Sequence, residues 1–99
     1  MVKLKLENVI LNIEYSPTYG AKSVLTGTIT NYGFLPRLYT VKVYFIKNAR
    51  YLKPIKRKGI VFRSKNFVFE TNTDVDAAQV WLMGPLEYRL YDRVSVHPA

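Results

Sequence analysis

The sequence predicts a mainly β fold, an antiparallel sandwich or a partly open barrel, in a single domain over residues 1–99. Three observations carry this. Roughly six or seven runs rich in β-branched and aromatic residues alternate apolar and polar side chains with period 2. Turn-forming clusters such as Ser16-Pro17-Thr18-Tyr19-Gly20, Asn31-Tyr32-Gly33 and Gly84-Pro85 separate these runs. The composition, 48% hydrophobic against 22% charged, lies outside the regime of disordered chains. One segment, 73–83, reads equally well as a short helix, which makes α+β the alternative.

Along the chain, Leu4 and Leu6 are even-numbered, whereas Val9, Leu11, Ile13 and Tyr15 are odd-numbered. A bulge or break near Glu7-Asn8 would reconcile the two phases. The loop at 16–20 follows. The stretch from Ser23 to Asn48 then reads as a central β-hairpin. Its first arm is Val24 to Thr30, its turn begins at Asn31, and its second arm, Leu38 to Asn48, places Tyr39, Val41, Val43 and Phe45 on one face. Val41, Val43 and Phe45 are expected in the core.

From Lys47 to Lys65 there are eight basic residues and no acidic one. Pro54 and Gly59 predict a loop in the middle of this stretch, with Ile60-Val61-Phe62 opening a short strand and Phe67 to Glu70 another. In 73–83, Thr73 and Asp76 resemble a capping box, while Ala78, Val80 and Leu82 alternate as in a strand preceded by an Asx-type turn. The final strand is expected over Tyr88, Leu90, Val94 and Val96.

At 99 residues the chain can bury roughly two-thirds of its unfolded surface, enough for one modest core. The absence of cysteine removes disulfides, thiolate metal sites and a cysteine nucleophile. No run approaches the ~18 apolar residues of a membrane span, and Lys3, Lys5 and Glu7 interrupt what would be a signal-peptide core. A soluble, non-secreted protein is expected.

Chemistry is sparse. The single histidine, His97, lies beside Pro98 near a chain end expected to fray, and reads as a surface residue. Glu70, Asp74 and Asp76 could offer oxygens to a hard cation, but the further ligands and central glycine of a calcium loop are missing. An acidic turn accounts for them better. There is no nucleophile elbow and no Gly-rich phosphate loop. We therefore expect no enzyme, with no catalytic residues, cofactor or metal.

Two features point to binding. A formal net charge of +8 favours polyanions, and the basic stretch 47–65 carries Tyr51 and Phe62, which could stack on bases. The same lysines equally suit a solvated loop beside an edge strand. Exposed tyrosine is enriched at protein interfaces, which singles out Tyr19, Tyr32, Phe34 and Tyr51. The expected partner-binding set is Tyr32, Phe34, Arg37, Lys47, Arg50, Tyr51, Lys53, Lys56, Arg57 and Lys58. The expected partner is a protein; nucleic acid through 47–65 is the alternative, and an anionic lipid surface a third.

Thr26 to Gly33 followed by Tyr39 to Phe45 resembles the central hairpin of immunoglobulin-like sandwich domains of the bacterial and archaeal kind, although the core tryptophan of those domains has no counterpart on the second arm. As a whole, the small, cysteine-free, lysine- and tyrosine-rich chain resembles uncharacterised proteins of filamentous and rod-shaped DNA viruses of hyperthermophilic archaea. That resemblance implies a thermostable viral accessory protein, placed in the host cytoplasm or the virion, without an assigned activity.

Overall fold

The computed structural model describes residues 3–18 and 20–99, so Tyr19 lies outside the described residues. The fold is an all-β sandwich of two antiparallel sheets. Strands β1 (Leu4–Ser16), β2 (Gly20–Asn31) and β6 (Ser64–Thr71) form one sheet with β2 in the middle. The other sheet is built on β3 (Arg37–Lys47). One edge of β3 takes β4 (Arg50–Tyr51) and β5 (Ile55–Val61), and the other takes β7 (Ala77–Met83), which is followed by β8 (Leu90–Val96).

The true first hairpin is β1–β2. Ser16 pairs with Gly20 across the expected loop, and Gly20 adopts the left-handed φ of 77° that glycine tolerates. The register slips between Glu7 and Ile10, with Asn8 at φ 54°, so the phase change read in the sequence is a β-bulge. Leu4, Leu6 and Leu11 consequently all reach the core.

The hairpin expected over Ser23 to Asn48 does not form. Its arms, β2 and β3, lie in different sheets, and residues 32–36 cross from one to the other. Both arms are alternating strands, as expected, but stacking them face to face buries Leu25 and Ile29 together with Val41, Val43 and Phe45. Pairing them edge to edge would not bring those faces into contact.

The basic stretch is also different from expectation. Residues 55–61 form a ladder along β3, from Arg37↔Val61 to Val43↔Ile55, rather than a loop. Gly59 fits there because it lies against the Tyr39 side chain: a Cβ would sit 2.7 Å from the phenolic oxygen. The helix alternative over 73–83 gives way to an irregular approach and then β7, whose Ala78, Val80 and Leu82 are fully buried. A bulge between Leu82 and Met83 shifts β8, so Tyr91 packs against the core and Leu90 points outward.

The two flanks of the sandwich are stitched together. On one, Leu6 N–H donates to Asp92 Oδ2 at 2.8 Å, and Ala99 N–H donates to the Leu11 carbonyl at 2.9 Å. The chain end, expected to fray, is thus tied to β1 by one backbone bond and a parallel bridge from Leu11 to Pro98. On the other flank, the Arg57 guanidinium donates to the Val68 carbonyl at 2.6 Å and lies over the Phe69 ring. Between the sheets, buried Ser23 Oγ donates to the Thr73 carbonyl and accepts from Val75 N–H. No helix among the described residues is long and apolar enough to cross a membrane.

Candidate functional site

Strands β2, β5 and β7 all run toward one end of the sandwich. The crossover 32–36, the turn 62–63 and the connection 84–89 therefore meet there. That end is apolar. Phe34 is fully exposed, and Leu35, Phe62, Leu86 and Tyr88 are each at least 65% exposed. Tyr32, Phe34, Phe62 and Arg63 line a hollow of about 570 Å³. Beside it, Leu38 and its cross-strand partner Ile60 border a second hollow of about 420 Å³ with Pro85.

Asn31 holds this end in shape. Its side chain is buried, and Nδ2 donates to the carbonyls of Leu35 at 2.9 Å and Phe62 at 3.1 Å, while Oδ1 accepts from Gly33 N–H at 2.9 Å. Its backbone N–H donates to the Arg63 carbonyl. One side chain thus fixes two loops.

Tyr32 is held separately. Thr30 Oγ1 and the Tyr32 hydroxyl each donate to the Glu7 carboxylate at 2.6 Å. The Thr30 bond first, then the Tyr32 bond, hold Glu7 below the usual carboxylate range, and the bond to Glu7 pushes the Tyr32 phenol up. The ring of Tyr32 remains more than half exposed.

The ten residues expected to bind a partner do not form one surface. Tyr32, Phe34 and Arg37 belong to the apolar end. Lys47 lies at the other end of β3, about 33 Å away along the strand, and Arg50, Tyr51 and Lys53 follow it. Several of the cations have structural partners. Lys47 pairs with Asp74 at 2.5 Å, Lys56 with Glu87 at 3.1 Å, and Lys58 Nζ donates to the Pro85 carbonyl at 2.6 Å. Hydrogen bonds from Lys47 and Lys56 hold the Asp74 and Glu87 carboxyls below their ordinary range. Arg57 is committed to Val68 and Phe69, as described. Arg50, Tyr51 and Lys53 stay exposed.

The contacts of Lys56 and Lys58 fold the 84–89 connection over the outward face of its sheet. That cover buries Thr40 and Met83 at positions that would otherwise face water. The acidic residues weighed as cation ligands are each engaged elsewhere: Asp74 on Lys47, Asp76 on Asn48 N–H, and Glu70 on Lys22. His97 is exposed, with Nδ1 3.4 Å from the Asp76 carbonyl.

Leu35, Leu38, Ile60, Leu86 and Tyr88 were not singled out by the sequence reasoning. Apolar residues crowded into turns, as in Phe34-Leu35-Pro36 and Pro85-Leu86, are the signal that could have marked them. Trp81 and Arg93, on the outward face of the larger sheet, carry no such local signal.

No family model matches the sequence, and no curated protein does. Among solved structures, the chain is similar to Bacteroides uniformis beta-glucuronidase, with a TM-score of 0.64 at 10% identity over 99% of this chain and 13% of that one. The same values hold for a calcium-binding mutant of Bacteroides uniformis beta-glucuronidase 2. The form of that enzyme covalently bound to cyclophellitol-6-carboxylate aziridine gives 0.60 at 9% identity, over 95% of this chain and 12% of that one. The chain thus spans about an eighth of these proteins, and the likeness is one of fold: a β-sandwich domain.

Proposed function

We propose that this chain is a non-enzymatic binding module that docks a protein partner on its apolar end, with Phe34, Phe62 and Tyr32 as anchors. The observation that supports this most is Phe34, fully exposed on a loop whose backbone is held by buried Asn31. Large apolar side chains exposed close together and rimmed by polar residues commonly mark an interaction site. Loops already held in place lose less conformational entropy on binding. The aromatic side chains are of the type that dominates interface energetics. The resemblance to proteins of archaeal DNA viruses would make the partner a host or viral protein.

The test is affinity capture from the native host with the intact chain and with the Phe34→Ala and Phe62→Ala variants, quantifying each retained protein. A partner held by the intact chain and weakened about 10-fold or more by either variant fits the loss expected of an interface anchor. Equal retention by all three proteins rejects the apolar end as the docking surface.

A further inference from the structure

The outward face of the larger sheet carries a second constellation, away from the apolar end. Tyr44, Tyr51, Gln79 and Trp81 line an open hollow of about 280 Å³. Tyr51, 63% exposed, stands edge-on to Tyr44 with ring centroids 5.5 Å apart. The register places Lys56, Lys42, Trp81 and Arg93 in one row across four strands. Three strand spacings make this row about 14 Å long. Lys42 Nζ lies 5.3 Å from the Tyr44 centroid, and Arg93 Cζ lies 5.2 Å from that of Trp81. Among the described residues, Glu87 pairs with Lys56 at the edge of this row and also attracts Lys42 electrostatically.

We propose that this face binds single-stranded nucleic acid, with one base stacking on Tyr51, another on the Arg93 guanidinium that lies over the part-exposed Trp81 ring, and phosphates meeting Lys42 and Arg93. Aromatic rings presented on a sheet beside cations accept bases of any sequence by their π-faces. A sheet face of this kind holds about two or three bases. A duplex hides those faces, so the arrangement selects single strands. A neutral sugar would leave the cations unmatched, and the Gln79 side-chain oxygen that could bind one already accepts from Trp81 Nε1 at 2.9 Å. This site differs from the basic stretch 47–65 picked out in the sequence, and shares with it only Tyr51 and Lys56.

Trp81 is the single tryptophan, so its fluorescence reports on the site directly. The full chain is titrated at low salt with an oligothymidine of about a dozen nucleotides, within the usual range of such sites. The expected result is saturable quenching, with affinity falling on added salt by a log-log slope of about 0.7 per phosphate contacted. Tyr51→Ala, at an exposed ring, should weaken binding about 5- to 150-fold, the loss expected for one stacked base. Tyr51→Phe should bind as the unaltered chain does. Phe34→Ala should leave this binding unchanged, which separates it from the protein-docking reading. Absence of quenching overturns the proposal. So does equal affinity for a duplex or a heparin fragment, or indifference to Tyr51→Ala, since any of these leaves charge alone.

Discussion

The Asn31 side-chain amide donates to the Phe62 carbonyl at 3.1 Å and ties the crossover between the sheets to the turn between β5 and β6. The same amide reaches the Leu35 carbonyl, and its oxygen takes the Gly33 N–H. Asn31→Ala leaves these groups without their partner and should cost about 1–3 kcal/mol. For a domain of this size that lowers the melting temperature by several degrees. Asn31→Asp, which replaces a donor with a carboxylate facing carbonyls, should be worse than alanine. Urea denaturation of the two variants decides the order, and the reverse order removes the donor role.

Ser23 is the counterpart inside the core. Its hydroxyl donates to the Thr73 carbonyl at 2.6 Å and accepts from Val75 N–H at 3.0 Å. Ser23→Ala should destabilise by about 1–3 kcal/mol by orphaning a buried backbone donor. Amide exchange at Val75 should accelerate more than exchange in β1. Uniform acceleration would mean that the bond has no local role.

Thr40 presents the opposite case, because its hydroxyl is fully buried with no hydrogen-bond partner among the described residues. Thr40→Val keeps the shape and removes the unsatisfied group. It should be neutral or stabilising, by up to about 1 kcal/mol, the scale of one buried hydroxyl. A clear loss of stability in thermal unfolding would show that the hydroxyl is satisfied in solution.

Gly27 faces Phe67 so closely that a Cβ would lie 2.5 Å from the ring. Gly27→Ala should therefore cost about 1–3 kcal/mol through overpacking. Combining it with Phe67→Leu should give less than the sum of the two single losses. Strict additivity in the double-mutant cycle would contradict the contact.

The bond between Glu7 and Tyr32 predicts a pH window. The folded Glu7 carboxyl titrates below its ordinary 4.5, so its contribution is present above that pH and is lost as pH falls through the lower folded value. The folded Tyr32 phenol titrates above its ordinary 10.0, so its contribution is complete below that pH and is lost as pH rises through the higher folded value. The clamp is whole between these limits. In an NMR titration, Tyr32→Phe should move the Glu7 midpoint upward without reaching 4.5, because the Thr30 bond remains. An unchanged midpoint would show that the phenol does not touch the carboxylate in solution.

Much of the fold was legible because alternation and turn chemistry are local. The bulge at Asn8, the loop at 16–20 and the burial of Val41, Val43 and Phe45 all follow from the order of side chains. What the chain order does not encode is which strand pairs with which. Residues 32–36 serve a hairpin as readily as a crossover, and only the stacking of two apolar faces decides. The same limit affected the candidate site. Tyr32 and Phe34 were visible as aromatic residues at a turn, but their meeting with Phe62 depends on the long-range bonds of Asn31. Lys56 to Lys58 looked like a loop because charge and glycine mask a strand paired on one edge.

The stitched flanks constrain how copies of this chain could assemble. Fibres of the cross-β kind grow by adding strands to open ladder edges. Here Asp92 and Ala99 occupy backbone groups of β1, while Arg57 caps β6. On β5, Lys56 and Lys58, though held to the 84–89 connection, make a lysine-rich edge strand of the kind that discourages further pairing. Sheet extension is thus blunted on both sides. A filament made from this 46 Å long body would more readily stack its ends or its faces.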